Sequence, residues 1–272
     1  MVSATQKNLD YYINKGIIKT DRLHVRSFKI YGDGALGSRG AAMRKSYSDR
    51  HNHFGALIYS PERYREMAKQ IAASEYQMNT HAIGDSANTW ILKTYEEFLK
   101  GKQNRRWRIE HAQIISKDDF RLFENVLPSI QPTHATSDMY WAENRIGKDR
   151  MKGAYAYKDL LKVYGKVALG TDFPVEQVNP FLTFYAAAVR KDTEGFPEGG
   201  FQIENVLSRE ETLKGMTIWA AFSNFEESEK GSIEVGKLAD FVILNQDIMT
   251  IEEDRIPTTK ATATYISGEK VY

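Results

Sequence analysis

The chain has 272 residues, of which 42% are hydrophobic and 27% charged, long and apolar enough for one large α/β domain or two smaller ones and too apolar to be chiefly disordered. Lysine and arginine number 37 against 36 acidic residues, and a formal charge of +1 argues against an electrostatic nucleic-acid binder. Cysteine is absent, which removes disulfides, thiolate nucleophiles, iron–sulfur clusters and cysteine-held zinc, so any metal must rest on His, Asp, Glu or a modified Lys.

In chain order, residues 1–10 are polar and lack an apolar signal core, and no stretch approaches the roughly 18 apolar residues of a membrane span. The chain as given is therefore expected to be neither exported by its own signal nor inserted in a membrane. Cytoplasmic residence follows, unless a missing N-terminal part carries a signal. Residues 24–30 alternate like a strand and stop at Gly32-Asp33-Gly34. Ser60-Pro61 opens a helix to about Glu75, with serine as cap and proline in the first turn. A strand over Tyr76 to His81 precedes an amphipathic helix from Asn88 to Lys100. Trp107 to His111 is a short strand, Ser116 starts a helix, and Val126 to Pro132 is another strand. A helix near Ala156 to Val163 leads into Lys166 to Asp172, the clearest buried strand. Helices follow over Pro180 to Arg190 and Ser208 to Ala221, the second with a Ser208/Glu211 capping box. This alternation over residues 24–221 predicts parallel strands joined by crossover helices. After Gly231 the strands Ala239 to Leu244 and Ala261 to Ser267 have no helix between them, so residues 231–272 form a small β segment apart from 1–230.

Four residues able to hold a metal fall at matching points of these units: Lys29, His81, His111 and Asp172. His81 and His111 are about one βα unit apart, His111 and Asp172 about two. In a parallel barrel the carboxyl ends of the strands share one face, where such side chains converge. Imidazole and carboxylate without thiolate suit Zn²⁺, Mn²⁺, Fe²⁺ or Ni²⁺. Against this, a single histidine at a strand end is commonly a hydrogen-bonded core or loop residue.

The runs Phe28-Lys-Ile-Tyr-Gly-Asp-Gly-Ala-Leu-Gly-Ser-Arg39, Asn79-Thr-His-Ala-Ile-Gly-Asp85, Arg108-Ile-Glu-His-Ala-Gln113, Leu169-Gly-Thr-Asp-Phe-Pro174 and Gly236-Lys-Leu-Ala-Asp-Phe-Val242 resemble, in order, motifs of the amidohydrolase superfamily. The branch they are most similar to is amidohydrolase family 3, which includes the N-substituted formamide deformylases. The resemblance implies an α/β fold, a partial TIM (β/α)8 barrel holding strands four to eight, with a small C-terminal β-sandwich segment. It implies one or two divalent ions, zinc first among them, at Lys29, His81, His111 and Asp172. Lys29 matches a lysine that related enzymes carboxylate to bridge two metals; left unmodified, its alternative is a salt bridge at the barrel mouth. Asp172 would take a proton from water and deliver it to the leaving amine. His134 is expected either to hydrogen-bond the substrate or the developing oxyanion, or to play a structural part in its loop. Asp33 and Arg39, in the glycine-rich loop, are expected to contact substrate or brace the lysine, or else to scaffold the loop. His51 and His53 look like the histidine pair that opens such barrels but follow Lys29 rather than precede it, and are not assigned to the metal.

Only about 23 residues precede the lysine strand, where three βα units belong, whereas a full barrel takes about 250 residues. The expectation is thus the C-terminal part of a larger hydrolase acting on amide or formamide carbon–nitrogen bonds, with little activity alone. Its expected partners are a small amide substrate and a second copy paired through open strand edges. The alternative is a non-catalytic binding or oligomerisation module of the same fold. Tyr140, Trp141, Tyr155 and Tyr157 are either ordinary loop packing or walls for an apolar substituent.

Overall fold

The computed structural model describes residues 1–101 and 103–272, which divide into two compact units: Met1–Ser129 with Trp141–Gly165, and Ile130–Tyr140 with Lys166–Tyr272. The fold class is α/β, part of a (β/α)8 barrel with a separate antiparallel sheet at the C-terminal end. Among the described residues no helix is long and apolar enough to cross a membrane.

The first unit begins with β1 (Val2–Ser3), α1 (Gln6–Lys15), β2 (Ile18–Lys19), β3 (His24–Val25) and β4 (Ser27–Tyr31). It continues with α2 (Pro61–Ala72), β5 (Gln77–Ala82), α3 (Asp85–Leu99), β6 (Arg108–His111), a 3₁₀ helix (Lys117–Asn125) and β7 (Leu127–Ile130). Strands β1, β4, β5, β6 and β7 lie side by side and parallel. The expected single strand over 24–30 is two: Val25 pairs antiparallel with Ile18 in a small ribbon, and only Ser27–Tyr31 joins the parallel sheet. The first strand and helix carry no strong pattern in the sequence; Thr5 caps that helix by accepting from Asn8 N at 3.2 Å.

Register and the two-residue period sort the sheet into unlike faces. Phe28, Ile30, Met78 and Ile109 are buried on one face, under Met67, Ile71, Ile91 and Tyr95 of the covering helices. Its polar member Thr80 is bonded to Tyr64 Oη at 2.8 Å and Tyr95 Oη at 2.7 Å, as a hydroxyl in an apolar layer must be. The other face is polar: Lys29 pairs with Asn79, Asn79 with Arg108, Tyr31 with His81, and His81 with Glu110. Arg108 Nε donates to Glu110 Oε1 at 3.0 Å, and the fields of Arg108 and Lys29 hold this buried carboxyl below its usual range against desolvation.

Helix starts follow the caps. Ser60 accepts from Arg63 N at 3.3 Å with Pro61 in the first turn. The helix expected from Asn88 begins earlier, at Asp85, because Gly84 is its cap. A side chain at Gly84 would lie 2.0 Å from Ala42 O, so only glycine lets the 32–59 segment approach here. The helix expected after Ser116 is 3₁₀. After α5 (Ala142–Met151), the expected helix near 156–163 is α6 (Tyr157–Tyr164).

The second unit holds α4 (Pro132–Asp138), β8 (Ala168–Leu169), α7 (Pro180–Val189), α8 (Arg209–Met216) and α9 (Ile218–Ser223). The strand expected over Lys166 to Asp172 is only two residues long, because the backbone turns after it and reaches φ 60° at Asp172. The helix expected over Ser208 to Ala221 is broken at Thr217, while its Ser208/Glu211 capping box is formed. Phe184, Tyr185, Val189, Ile248 and Ile256 make this unit's core cluster. The C-terminal sheet is antiparallel, β9 (Phe241–Leu244) against β10 (Ala261–Ile266) and β10 against β11 (Glu269–Lys270).

Candidate metal centre and its surroundings

In the first unit the two barrel histidines meet. His111 pairs in register with Ala82, so an unbroken strand would send its ring to the face opposite His81. The backbone at His111 is instead left-handed, φ 76°, followed by Ala112 at φ 44°. Such a twist costs a non-glycine residue about 1–3 kcal/mol. It turns the imidazole back, and the His81 and His111 rings stand edge to face with centroids 4.5 Å apart. Tyr31 flanks His81 at 5.6 Å between centroids.

Lys29 lies two residues before the end of β4 and one pleat below the His81 level, rather than at the strand end where the sequence pattern puts it. Its ammonium sits 5.2 Å over the Tyr31 ring and within the field of Glu110. An ammonium has no lone pair for a cation.

Asp33 is buried and accepts from three backbone N–H groups, Ala42 at 2.9 Å, Ile83 at 3.0 Å and Gly84 at 2.8 Å. Its Oδ1 lies 3.5 Å from His81 Nε2. Burial pushes its carboxyl up to about 7 despite these donors. Arg39 forks onto Asp49 at 3.0 and 2.8 Å, and Arg145 reaches the same carboxylate. His53 Nε2 lies 2.9 Å from the Arg39 carbonyl oxygen. Trp141 packs on Gly37 and under the Arg145 guanidinium, while Tyr155 and Tyr157 are buried.

In the second unit α4 presents His134 between two acids. Its Nε2 lies 3.3 Å from Asp172 Oδ2 and its Nδ1 2.8 Å from Glu176 Oε1, which also accepts from Ser137 Oγ at 2.6 Å. Burial works against a charged imidazole here, but the bonds to Asp172 and Glu176 and the fields of Glu176 and Asp138 outweigh it, raising His134 to about 9. Asp172 is itself left-handed. Glu176 was not singled out from the sequence; the only signal was an acid one helical turn after Asp172.

The donor set suits a divalent cation: two imidazoles in contact, the Asp33 carboxyl 3.5 Å from one of them, no thiolate. Unmodified Lys29 does not fit that set.

A model described as "Amidohydrolase family" matches residues 3–272. Protein LONG AFTER FAR-RED 3 of Arabidopsis thaliana is 32% identical over 276 residues, covering 100% of this chain and 47% of the plant protein. The putative amidohydrolase YtcJ of Bacillus subtilis is 31% identical over 251 residues, covering 90% of this chain and 47% of its own length. A crystal structure of an uncharacterized metal-dependent hydrolase from Pyrococcus furiosus superposes with a TM-score of 0.78 at 29% identity, over 90% of this chain and 50% of that one. The chain thus spans about half the length of the curated relatives it matches.

Proposed function

The chain belongs to the amidohydrolase family, and from that premise we propose that it carries site residues of a metal-dependent hydrolase of amide or formamide carbon–nitrogen bonds. The observation that carries this reading is the left-handed His111, a costly backbone state whose evident result is contact between two imidazoles on a polar sheet face. We assign His81 and His111 to hold the metal, zinc being the simplest choice, with a carboxylated Lys29 beside them; Asp172 joins the set on its motif alone. When bound, the ion supplies Lewis-acid polarisation of a carbonyl and activation of water.

The remaining work falls to the chain's own side chains. Asp172 is the proton carrier: its carboxylate accepts from the attacking water and returns the proton to the departing nitrogen. His134 offers a ring nitrogen to an oxygen atom. Its 3.3 Å contact with Asp172 is longer than that with Glu176, and is the one that a substrate carbonyl oxygen gathering negative charge would replace, while Glu176 keeps the ring in place. Asp33 bears on this chemistry through position, fixing the loop beside His81.

The test is metal retention by the purified chain after loading with Zn²⁺ and dialysis. Wild type is expected to keep one or two ions, and His81→Ala and His111→Ala to lose retention at least tenfold, about 1.4 kcal/mol or more. Intact mass of the loaded protein reports carboxylation of Lys29. A chain that retains no zinc, or variants that retain it equally, would overturn the proposal and favour a binding module without catalysis.

A further inference from the structure

We propose that a cavity beside His134, formed wholly within the second unit, is a subsite for a substrate carboxylate carried on a short apolar or aromatic stem. The proposal names the substrate class for the hydrolase reading above and rests on it in calling the ligand a substrate. The cavity measures about 200 Å³ and opens between α4, α7 and the segment from Lys191 to Thr193. That is below the roughly 300–1,000 Å³ of pockets that take a whole ligand, and suits one substituent.

Its walls give the stem. Leu182, Ala186 and the ring of Tyr185 line one side and Tyr140 the other. The Tyr140 ring is fixed, stacked on Phe196 at 5.7 Å with 12° between planes, and its hydroxyl donates to Asp192.

The polar atoms give the charge. Both acids that line the cavity are engaged by the protein's own donors. Glu176 takes His134 and Ser137. Asp192 takes the Tyr140 hydroxyl and, at 2.9 Å each, the N–H groups of Glu194 and Phe196. The donors are not matched in the same way: Lys191 and Gln177 have no hydrogen bond or ion pair among the described residues. The half-buried Lys191 is the lining's one cation and lacks a counter-charge in contact. A ligand that brings acceptors and a negative charge completes the set of unmatched donors.

The lysine is also held in place. Its neighbour Arg190 is fully buried at the end of α7 and donates Nε to Phe201 O at 2.8 Å and Nη2 to Gln202 Oε1 at 3.0 Å. Asp192 N donates to Phe196 O at 2.8 Å, closing the segment on itself. A backbone anchored on both sides of Lys191 lowers the ordering cost of binding.

Calorimetric titration of the metal-free 272-residue chain with 4-phenylbutyrate and its neutral isostere 4-phenylbutanamide tests the assignment. The carboxylate is expected to bind about tenfold tighter than the amide. Lys191→Gln should abolish that preference with the thermal midpoint unchanged, and Lys191→Arg should retain it. Equal affinity for the two probes, no binding of either, or a preference that survives in Lys191→Gln would overturn the subsite. Because no metal is present, the result is independent of zinc retention. A carboxylate preference in a chain that holds no zinc defeats the hydrolase reading alone, and zinc retention without the preference defeats the subsite alone.

Discussion

His111 shows how a residue's identity and its aim are separate pieces of information. That a histidine ends this strand can be read from the sequence; that it faces His81 cannot, because regular alternation puts it on the other side of the sheet and only the φ of 76° reverses it. The strain has a measurable side: His111→Gly relaxes the backbone where His111→Ala does not, so we expect the glycine variant to be more stable than the alanine variant by about 1 kcal/mol in chemical denaturation. Asp33 is the converse case. The glycine-rich run around it was legible as a loop, but its three backbone partners come from two distant stretches and leave no local pattern. Asp33→Ala should cost about 3 kcal/mol or more by stranding those buried N–H groups, and Asp33→Asn less, measured by urea unfolding. The His134–Glu176 bond was hidden for the same reason, since nothing in residues 173–177 announces which ring nitrogen an acid will meet.

At the scale of elements, the punctuation read well where a side chain does the capping. Ser60 and Ser208 begin the helices their sequences mark. Elements set by the backbone read less well: the strand over Lys166 to Asp172 shrinks to two residues, and the Ser208 helix breaks at Thr217. The 32–59 segment has no helix or long strand, yet is fastened by Asp49, which joins Arg39 to Arg145 of α5. The Arg39 bond holds the Asp49 carboxyl below its ordinary value against slight desolvation, and Arg145 adds to this. A depressed folded-state pKa means stability that is present above about pH 4 and lost as pH falls through the lower folded value. Asp49→Asn is therefore expected to lower the thermal midpoint by a few degrees at pH 7, less at high salt, with the gap to wild type closing below pH 4. Gly84→Ala should be far more damaging, because the added carbon would lie 2.0 Å from Ala42 O and either that segment or the start of α3 must move; circular dichroism melts of the two variants separate the effects.

For the molecule as a whole, fold class was the most legible property, because alternating strand and helix patterns depend on periodicity summed over many residues and tolerate errors at any one boundary. The parallel order of β4, β5, β6 and β7 follows the chain directly. The family was legible only through five separated motifs, and family membership does not by itself select a reaction or a substrate. Asp33 has one consequence at this scale. The amide of Ala42 belongs to a stretch that would ordinarily swap its proton for deuterium within moments, but the acceptor is a buried carboxylate shared with Ile83 and Gly84. Releasing it means parting the loop from the sheet, so in heavy water Ala42 should keep its hydrogen about as long as the strand interior does, and reports loss of the whole unit rather than local fraying.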